Sequence, residues 1–443
     1  MSAVDASHRA RLSREPVELT IDRLSHEGRG VARCAGKTVF VSGALAGETV
    51  HAVYTRHHRR FDEARVERVL VASPDRVVPR CEHADLCGGC SLQHLAPATQ
   101  IAHKEGVLLE LLKHQAGVTP EEILPPLTGP LWGYRRKARL GVKYVPKKGG
   151  ALVGFREKGT SLLTEIRRCE VLQPAIGQKI MALRELVNRL TVPDQIPQIE
   201  VSFGDAGGVL VFRHLRPLNV HDRGLLAEFG AQTGLAVYLQ PAGPESVQPL
   251  VGSGRELCYR VDDLTLHFLP NDFTQVNGEI NRALVAAVLE HLAPGPGDEV
   301  LDLFCGLGNF TLPIARRAGT VCGVEGEAGL VSRAQVNAAA NGIANARFVV
   351  ADLFAPEGLA AIPERRYSKL LLDPPRSGAE HIVTHFDFSP VERLVYVSCN
   401  PVTLARDAHA LIGQQGYTLE AAGVCDMFPH TAHVESIAVF RKR

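Results

Sequence analysis

The sequence predicts a multidomain α/β chain: a small all-β domain first, a mixed region in the middle, and a doubly wound, parallel-rich sheet last. Three observations predict it. At 443 residues the chain is too long for one ordinary domain. Residues 16–71 break into short alternating runs with Gly-containing turns. From about residue 278 helical periodicity alternates with short apolar runs, the texture of strand–helix–strand units.

The first runs are VELTIDRL, HEGRGVARCAGK, TVFVSGAL, ETVHAVYTR and EARVERVLV, a spacing that suits a small barrel. This region carries a basic cluster, Arg56, His57, His58, Arg59 and Arg60. It reads either as a solvated hairpin tip or as a phosphate-contacting loop. Residues 74–92 form a Cys-rich loop, a helix is expected over 98–114, and PLTGP then breaks the chain. Residues 131–258 read as short strands with one helix near 180–190. Within them YRRKARLGVKYVPKKGG interleaves basic and aromatic residues, which suits contact with an RNA backbone and its bases.

The last region opens with the helix NRALVAAVLEHL, followed by the strand EVLDLF, a Gly-rich turn and the helix TLPIARRA. TVCGVE, LVSRAQVNAAANG, FVVAD, KLLLDPP, RLVYVSC and VESIAVF continue the alternation. No apolar run is long enough to span a membrane and the first residues lack a signal-peptide core, so a cytoplasmic protein is expected. A net charge of +1 excludes a polycation, and any nucleic-acid contact must come from local basic patches. In a long intracellular chain the ten cysteines point to metal ligation, catalysis or plain burial rather than a disulfide framework.

The run from Asp302 to Asn309, DLFCGLGN, follows a strand and opens a helix, where glycines let a ligand approach the backbone. Glu325 ends the next strand, where a carboxylate can bind ribose hydroxyls. Asp352 ends the third, placed to meet an adenine edge, and Asp373 ends the fourth in DPPR. Any one of these acids could be a helix N-cap, but together they mark a ligand site at the carboxyl ends of the strands. No GxxxxGK[ST] run is present, and the acidic surroundings suit a cationic sulfonium better than a pyrophosphate.

Cys399 stands where the apolar run VYVS ends and Asn400-Pro401 forces a turn, which places it at the sheet rim beside the cofactor edge. It is the candidate nucleophile; Cys305 competes but lies within the cofactor turn. Glu435, just before the last apolar strand, is the candidate general base. Cys81, Cys87 and Cys90 form a close set with Gly88 and Gly89 between them, readable as ligands of zinc or of an iron–sulfur cluster. A fourth ligand must be remote, and Cys169 is chosen over Cys258. The spacing differs from the C-x3-C-x2-C loop of radical-type clusters, and ligand count alone leaves zinc and iron–sulfur open.

DLFCGLGNF, DPPR-x-G, SCNP-x-TLARD, FPHT-x-HVE and the Cys loop together resemble the bacterial 23S ribosomal RNA (uracil-5-)-methyltransferases, over essentially the whole length. The resemblance implies a TRAM/OB-like β-barrel over residues 1–73 and a central α+β domain with a [4Fe–4S] cluster over 74–92 and 125–270. It also implies a Rossmann-like S-adenosylmethionine methyltransferase domain over 93–124 and 271–443, with the helical stretch 93–124 packed on it. Carried onto this chain, the cluster ligands are Cys81, Cys87, Cys90 and Cys169, and the cofactor positions are Gln275, Phe304, Asn309, Glu325, Asp352 and Asp373. Cys399 is the nucleophile, Glu435 the base, and Phe273 lies against a flipped uracil.

The implied partner is 23S ribosomal RNA, with a monomer and no membrane expected. Related transfer-RNA enzymes share the catalytic motifs but lack cluster and barrel. A transfer-RNA substrate and a non-catalytic RNA-binding assembly factor are the alternatives. The implied chemistry needs a thiolate and a carboxylate in one pocket. Uracil C5 is a poor nucleophile until a thiolate adds at C6, and a base must later remove the C5 proton. The site must therefore favour the thiolate, and the base must leave its stack to be reached.

Overall fold

The computed structural model describes residues 15–443. By its internal contacts the chain forms two compact units. One holds the described residues up to Asp85, Cys90–His103 and His430–Ala432; the other holds Leu86–Gly89, Lys104–Pro429 and His433–Arg443.

The first unit is built on six strands: β1 (Val17–Thr20), β2 (Arg23–Leu24), β3 (Gly30–Cys34), β4 (Lys37–Ser42), β5 (Thr49–His57) and β6 (Phe61–Val71), in the order β1-β5-β6-β4-β3-β2. The two ends of that order are one bent run of chain. Val17–Thr20 pairs with β5, Asp22 N donates to Val31 O at 2.8 Å, and Arg23–Leu24 pairs with β3. The sheet thus closes on itself around Leu19, Val39, Val41, Val50 and Ala64, the barrel the strand spacing predicts. Buried Glu48 accepts from Leu45 N and Ser73 N and pairs with Arg76; burial pushes its carboxyl up, and these partners outweigh it and hold it low. Arg56, His57, Arg59 and Arg60 are exposed around the β5–β6 turn, with His58 half-buried. His57 Nδ1 lies 2.9 Å from Asp62, which also binds Lys37.

Helix α1 (Pro97–Leu111) continues into a wider turn, Leu112–Ala116, stopped by Gly117 at φ 69°. The expected helix over 98–114 is present, with its last turn loosened. Strand β7 (Glu122–Ile123) follows.

A second six-stranded sheet uses β8 (Lys137–Val145), β9 (Gly150–Gly154), β10 (Gln198–Gly204), β11 (Gly207–Arg213), β12 (Ala236–Gln240) and β13 (Gln248–Pro249), in the order β13-β12-β11-β10-β8-β9. The helices here are α2 (Pro174–Gly177), α3 (Ile180–Arg189) and α4 (Val220–Thr233). The single helix expected near 180–190 is α3; α4 corrects that reading. Gly224 and Gly230 blur its periodicity, yet β11 and β12 are parallel and need a crossover, and Asn219 caps its start by accepting from Asp222 N at 2.9 Å. A hairpin, β14 (Leu257–Val261) with β15 (Leu264–Phe268), leads into the last sheet.

That sheet has eight strands. They are β7, β16 (Glu299–Leu303), β17 (Thr320–Glu325), β18 (Ala346–Val350), β19 (Lys369–Leu372), β20 (Arg393–Ser398), β21 (Tyr417–Cys425) and β22 (Glu435–Lys442). Their order is β18-β17-β16-β19-β20-β22-β21-β7. Strands β16 to β20 are mutually parallel and β22 is antiparallel to both its neighbours. Helices α5 (Gly278–Leu292), α6 (Thr311–Ala315), α7 (Ala328–Ala340), α8 (Pro356–Ala360), α9 (Glu380–His385) and α10 (Pro401–Gly413) connect them. The sheet core includes Val300, Leu371, Val395, Val397, Ile437 and Val439. The chain runs outward from β16 to β18, then returns to β19 on the other side, so the order reverses between β16 and β19, where ligands of open sheets bind. Strand β21 was not among the expected elements. A register shift between Leu419 and Ala421 breaks its alternation, and YTLEAAGVC spends three positions on Ala and Gly.

Candidate active site

The turn after β16 is made by backbone that turns left-handed three times, at Phe304 (φ 67°), Gly306 (φ 54°) and Gly308 (φ 95°). Phe304 N and Cys305 N both donate to Val324 O, at 2.9 and 3.1 Å, which seats the turn on the end of β17. Gly306 N then reaches Glu325 Oε2 at 3.1 Å, and Glu325 Oε1 accepts from Glu327 N at 3.0 Å. Asp352 accepts from Phe354 N at 3.0 Å. Both acids therefore shape local backbone as well as facing the cavity beyond it. The rings of Phe304 and Phe354, 5.6 Å apart, form one wall.

That cavity, of about 520 Å³, is lined by Gln275, Phe304, Asn309, Glu325, Asp352 and Asp373, and equally by Cys399 and Glu435. Every residue expected at the cofactor and at the chemistry faces the same space. Phe273 lines it too and is 67% exposed. Sequence reasoning assigned no role to four further wall residues, Tyr259, Arg376, Phe428 and His433. Arg376, Phe428 and His433 stand inside the DPPR and FPHT-x-HVE runs, which was the available signal; Tyr259 comes from β14 and carried none.

Cys399 and Glu435 meet through strand register. Ser398 pairs with Ser436, so the next position on β20's side faces the first residue of β22. Asn400 caps α10 by accepting from Val402 N and donates to Arg376 O at 2.9 Å, which holds the turn that carries Cys399. Burial pushes the Cys399 thiol up to about 11; the Glu435 and Asp373 carboxylates add to this and Arg376 opposes it. Burial pushes Glu435 up to about 7, again opposed by Arg376. Asp373 is raised well above the carboxylate range by burial, Glu435 and Glu325. Asp302, buried beneath the turn, is raised to about 8 by burial although Thr311 donates to it at 2.5 Å. The expectation that the site favours the thiolate is thus not met by the protein alone. Its acids favour the neutral thiol, and a cation in the cavity is what would reverse this. Cys305 also faces the cavity, but burial raises its thiol well above the ordinary value.

Two supporting networks hold the walls. Tyr259 Oη donates to Asn309 Oδ1 at 2.9 Å, and the amides of Asn281 and Asn309 pair head to tail with both distances 2.9 Å. Lys104 Nζ, fully buried, binds Asp426 Oδ1 at 2.6 Å and Phe428 O at 3.0 Å. Phe428 lies 5.4 Å from the His433 ring, which contacts Arg376 Nη2 at 3.1 Å.

The cysteines expected to bind metal are largely buried: Cys87, Cys90 and Cys169 are buried and Cys81 is half-buried. Among the described residues no three or more His, Cys, Asp or Glu side chains gather as a metal site requires, so a cluster on Cys81, Cys87, Cys90 and Cys169 is not shown. Nor is any described helix long and apolar enough to cross a membrane.

The sequence pattern of the tRNA (uracil-5-)-methyltransferase family matches residues 253–443, and that of the TRAM domain residues 11–66. The 23S rRNA (uracil(1939)-C(5))-methyltransferase of Alkalilimnicola ehrlichii is 53% identical, with 98% of each chain covered. The enzyme of the same description from Stenotrophomonas maltophilia is 50% identical over 99% of this chain and 100% of its own. Among solved structures, the Pyrococcus abyssi tRNA (uracil-54, C5)-methyltransferase in complex with S-adenosyl-L-homocysteine superimposes with a TM-score of 0.73 at 23% identity. It covers 96% of this chain and 99% of its own, and so shares the fold.

Proposed function

The chain belongs to the family of 23S rRNA (uracil-C5)-methyltransferases, and from that premise we propose that it methylates C5 of a uridine in 23S ribosomal RNA through a covalent adduct at Cys399. The observation that carries the reading is that Cys399 and Glu435 line one cavity with the acids at the ends of β17, β18 and β19. S-adenosylmethionine, when bound, supplies an electrophilic methyl group on a positively charged sulfur. Gln275, Phe304, Asn309, Glu325, Asp352 and Asp373 hold it, with Glu325 at the ribose and Asp352 at the adenine edge.

Cys399 acts once ionised. Its Sγ bonds to uracil C6 and the ring electrons shift toward C5 and O4, which makes C5 a nucleophile. C5 then takes the methyl group. Glu435 removes the C5 proton, and the electrons of that C–H bond expel the Cys399 thiolate from C6. A carboxylate whose pKa stands at about 7 is well matched to this task near neutral pH. Phe273, exposed at the cavity wall, offers a face for the flipped base.

RNA contacts are assigned to the basic run 56–60 on the barrel and to the run YRRKARLGVKYVPKKGG, with its interleaved basic and aromatic residues. The three-part division into a barrel (1–73), a central domain (74–92 and 125–270) and a methyltransferase domain (93–124 and 271–443) is part of this reading, as are a monomer and a cytoplasmic site of action. So is a [4Fe–4S] cluster on Cys81, Cys87, Cys90 and Cys169, supported by the donor set of four thiols; no step of the chemistry passes through it. Iron and sulfide analysis of the purified protein tests it, and a protein with neither removes it.

The function is tested by tritium release from ribosomal RNA labelled at uracil C5, with S-adenosylmethionine, for wild type and Cys399→Ala. Release by the wild type alone, matched by methyl incorporation, is the expected result. Release by the variant overturns the nucleophile. Release from transfer RNA but not ribosomal RNA overturns the substrate, and no release from either favours a non-catalytic role.

A further inference from the structure

We infer that Tyr259 is a positioning residue that locks the sense of the Asn309 side-chain amide, so that the cavity meets an N–H donor there and reads the carboxylate of an aminoacyl ligand. The inference rests on the reading of this cavity as the cofactor site.

The hydrogen-bond inventory carries it. Asn309 Oδ1 accepts twice, from Tyr259 Oη and Asn281 Nδ2, each at 2.9 Å. Asn309 Nδ2 spends one hydrogen on Asn281 Oδ1, also at 2.9 Å. Both acceptor positions of the oxygen are thereby filled, and what remains for a ligand is the second Nδ2 hydrogen. A head-to-tail pair of amides is by itself degenerate. If both Asn281 and Asn309 turned over together, their two mutual bonds would survive, and Asn309 would show the cavity an oxygen instead.

Tyr259 removes the degeneracy. Its phenol is buried, and burial raises its pKa above the ordinary value, so the hydroxyl keeps its hydrogen. Among the described residues the acceptor that hydrogen meets is Asn309 Oδ1. Turning the amides over would put an NH2 group against the phenol and strand a buried O–H, a cost the found sense avoids. Asn281 is itself 3% exposed and fixed on α5, so the pair has no solvent to relax into.

Place in the sheet says which part of a ligand meets the donor. Asp352 follows β18 and Glu325 ends β17, the positions for adenine and ribose; Asn309 follows β16, the next strand toward the reversal. The aminoacyl end of the cofactor comes next along that line. Glu325 and Asp352 on the same wall spend their oxygens as acceptors from backbone N–H groups, so they offer a ligand carboxylate no donor. A neutral donor held in one sense gives that carboxylate a partner.

The experiment is direct binding to the full chain, without RNA or turnover, by titration calorimetry. Two ligands are compared: S-adenosyl-L-homocysteine, and 5′-deoxy-5′-methylthioadenosine, which lacks the amino acid. Tyr259→Phe, which returns the amide pair to two equal senses, is expected to weaken the first by about twofold and to leave the second unchanged. Asn309→Asp, which replaces the cavity-facing donor with an acceptor, is expected to weaken the first further with the same selectivity, and it answers the question should Tyr259→Phe fail to fold. Unchanged binding of both ligands, or equal weakening of both, overturns the inference. Failure of the wild type to bind either ligand instead overturns the assignment of the cavity.

Discussion

Ser398 and Ser436 are the last paired residues of the β20–β22 ladder, and Ser436 Oγ donates to the Ser398 carbonyl at 3.3 Å. One step beyond them stand Cys399 and Glu435. A thiol and a carboxyl group that are distant in sequence thus become neighbours because an antiparallel strand is inserted between β20 and β21. The slip of one residue in that ladder would turn Glu435 to the opposite face of the sheet.

Glu435 is expected to set both the pH profile and a part of the stability. Its pKa of about 7 predicts that the pH profile of C5 tritium release changes slope at about pH 7, rising less steeply above it, where only Cys399 is left to ionise. Glu435→Gln is expected to accumulate a covalent protein–RNA adduct visible on a denaturing gel; normal turnover by that variant removes Glu435 as the base. Folding raises this pKa from the ordinary 4.5, so the folded state holds the proton more tightly. The associated stability is complete below about pH 4.5 and is lost as pH rises through about 7. Glu435→Gln should therefore melt higher than wild type above pH 7 and show no such gain at pH 4.5.

Cys399 should become more reactive when a cation occupies the cavity. Burial and two carboxylates hold its thiol near 11, and a positive charge nearby favours the thiolate. Alkylation of Cys399 by iodoacetamide, followed by peptide mass spectrometry, is expected to run several-fold faster with S-adenosylmethionine bound than with neutral S-adenosyl-L-homocysteine. The two differ by one methyl group and one charge, so shielding by the ligand cancels. Equal rates would falsify the charge argument.

Lys104 and Asp426 should show the asymmetry of a buried ion pair. With exposures of 1% and 3%, removing one partner strands the other charge. Burial lowers the Lys104 pKa against the pull of Asp426. Lys104→Met is expected to cost about 3–5 kcal/mol in urea unfolding, and Lys104→Met with Asp426→Leu to recover most of it. A double variant no better than the single one would show that the pair matters through the Phe428 carbonyl instead.

Much of the site was legible because its residues end strands. Glu325, Asp352, Asp373 and Cys399 each stop an apolar run, and a parallel sheet collects such ends on one edge. Gln275, Asn309 and Glu435 entered with less local signal and face the same cavity. Tyr259 was invisible because LCYRV reads as an ordinary half-buried strand; its function lies in a hydroxyl whose partner is 50 positions away. Charge balance was illegible too. Whether a thiol in an acidic pocket ionises depends on burial and on Arg376, neither of which spacing reveals. In the fold, α4 and β21 were missed where glycines and a bulge erase periodicity, while the tertiary pairing around them restores it.

The N-terminal barrel closes because one bent stretch, Val17–Leu24, serves as both its first and its last strand. Where the strands close the ring, among the described residues, both edges of a strand are already paired, and a foreign strand cannot extend the ladder at those positions. At those positions the barrel is left with side chains and hairpin tips to grip with, and its longest basic run sits on such a tip. Closure thus commits this small domain to recognition by charge and shape, and spares it the tendency of open sheets to stick to one another.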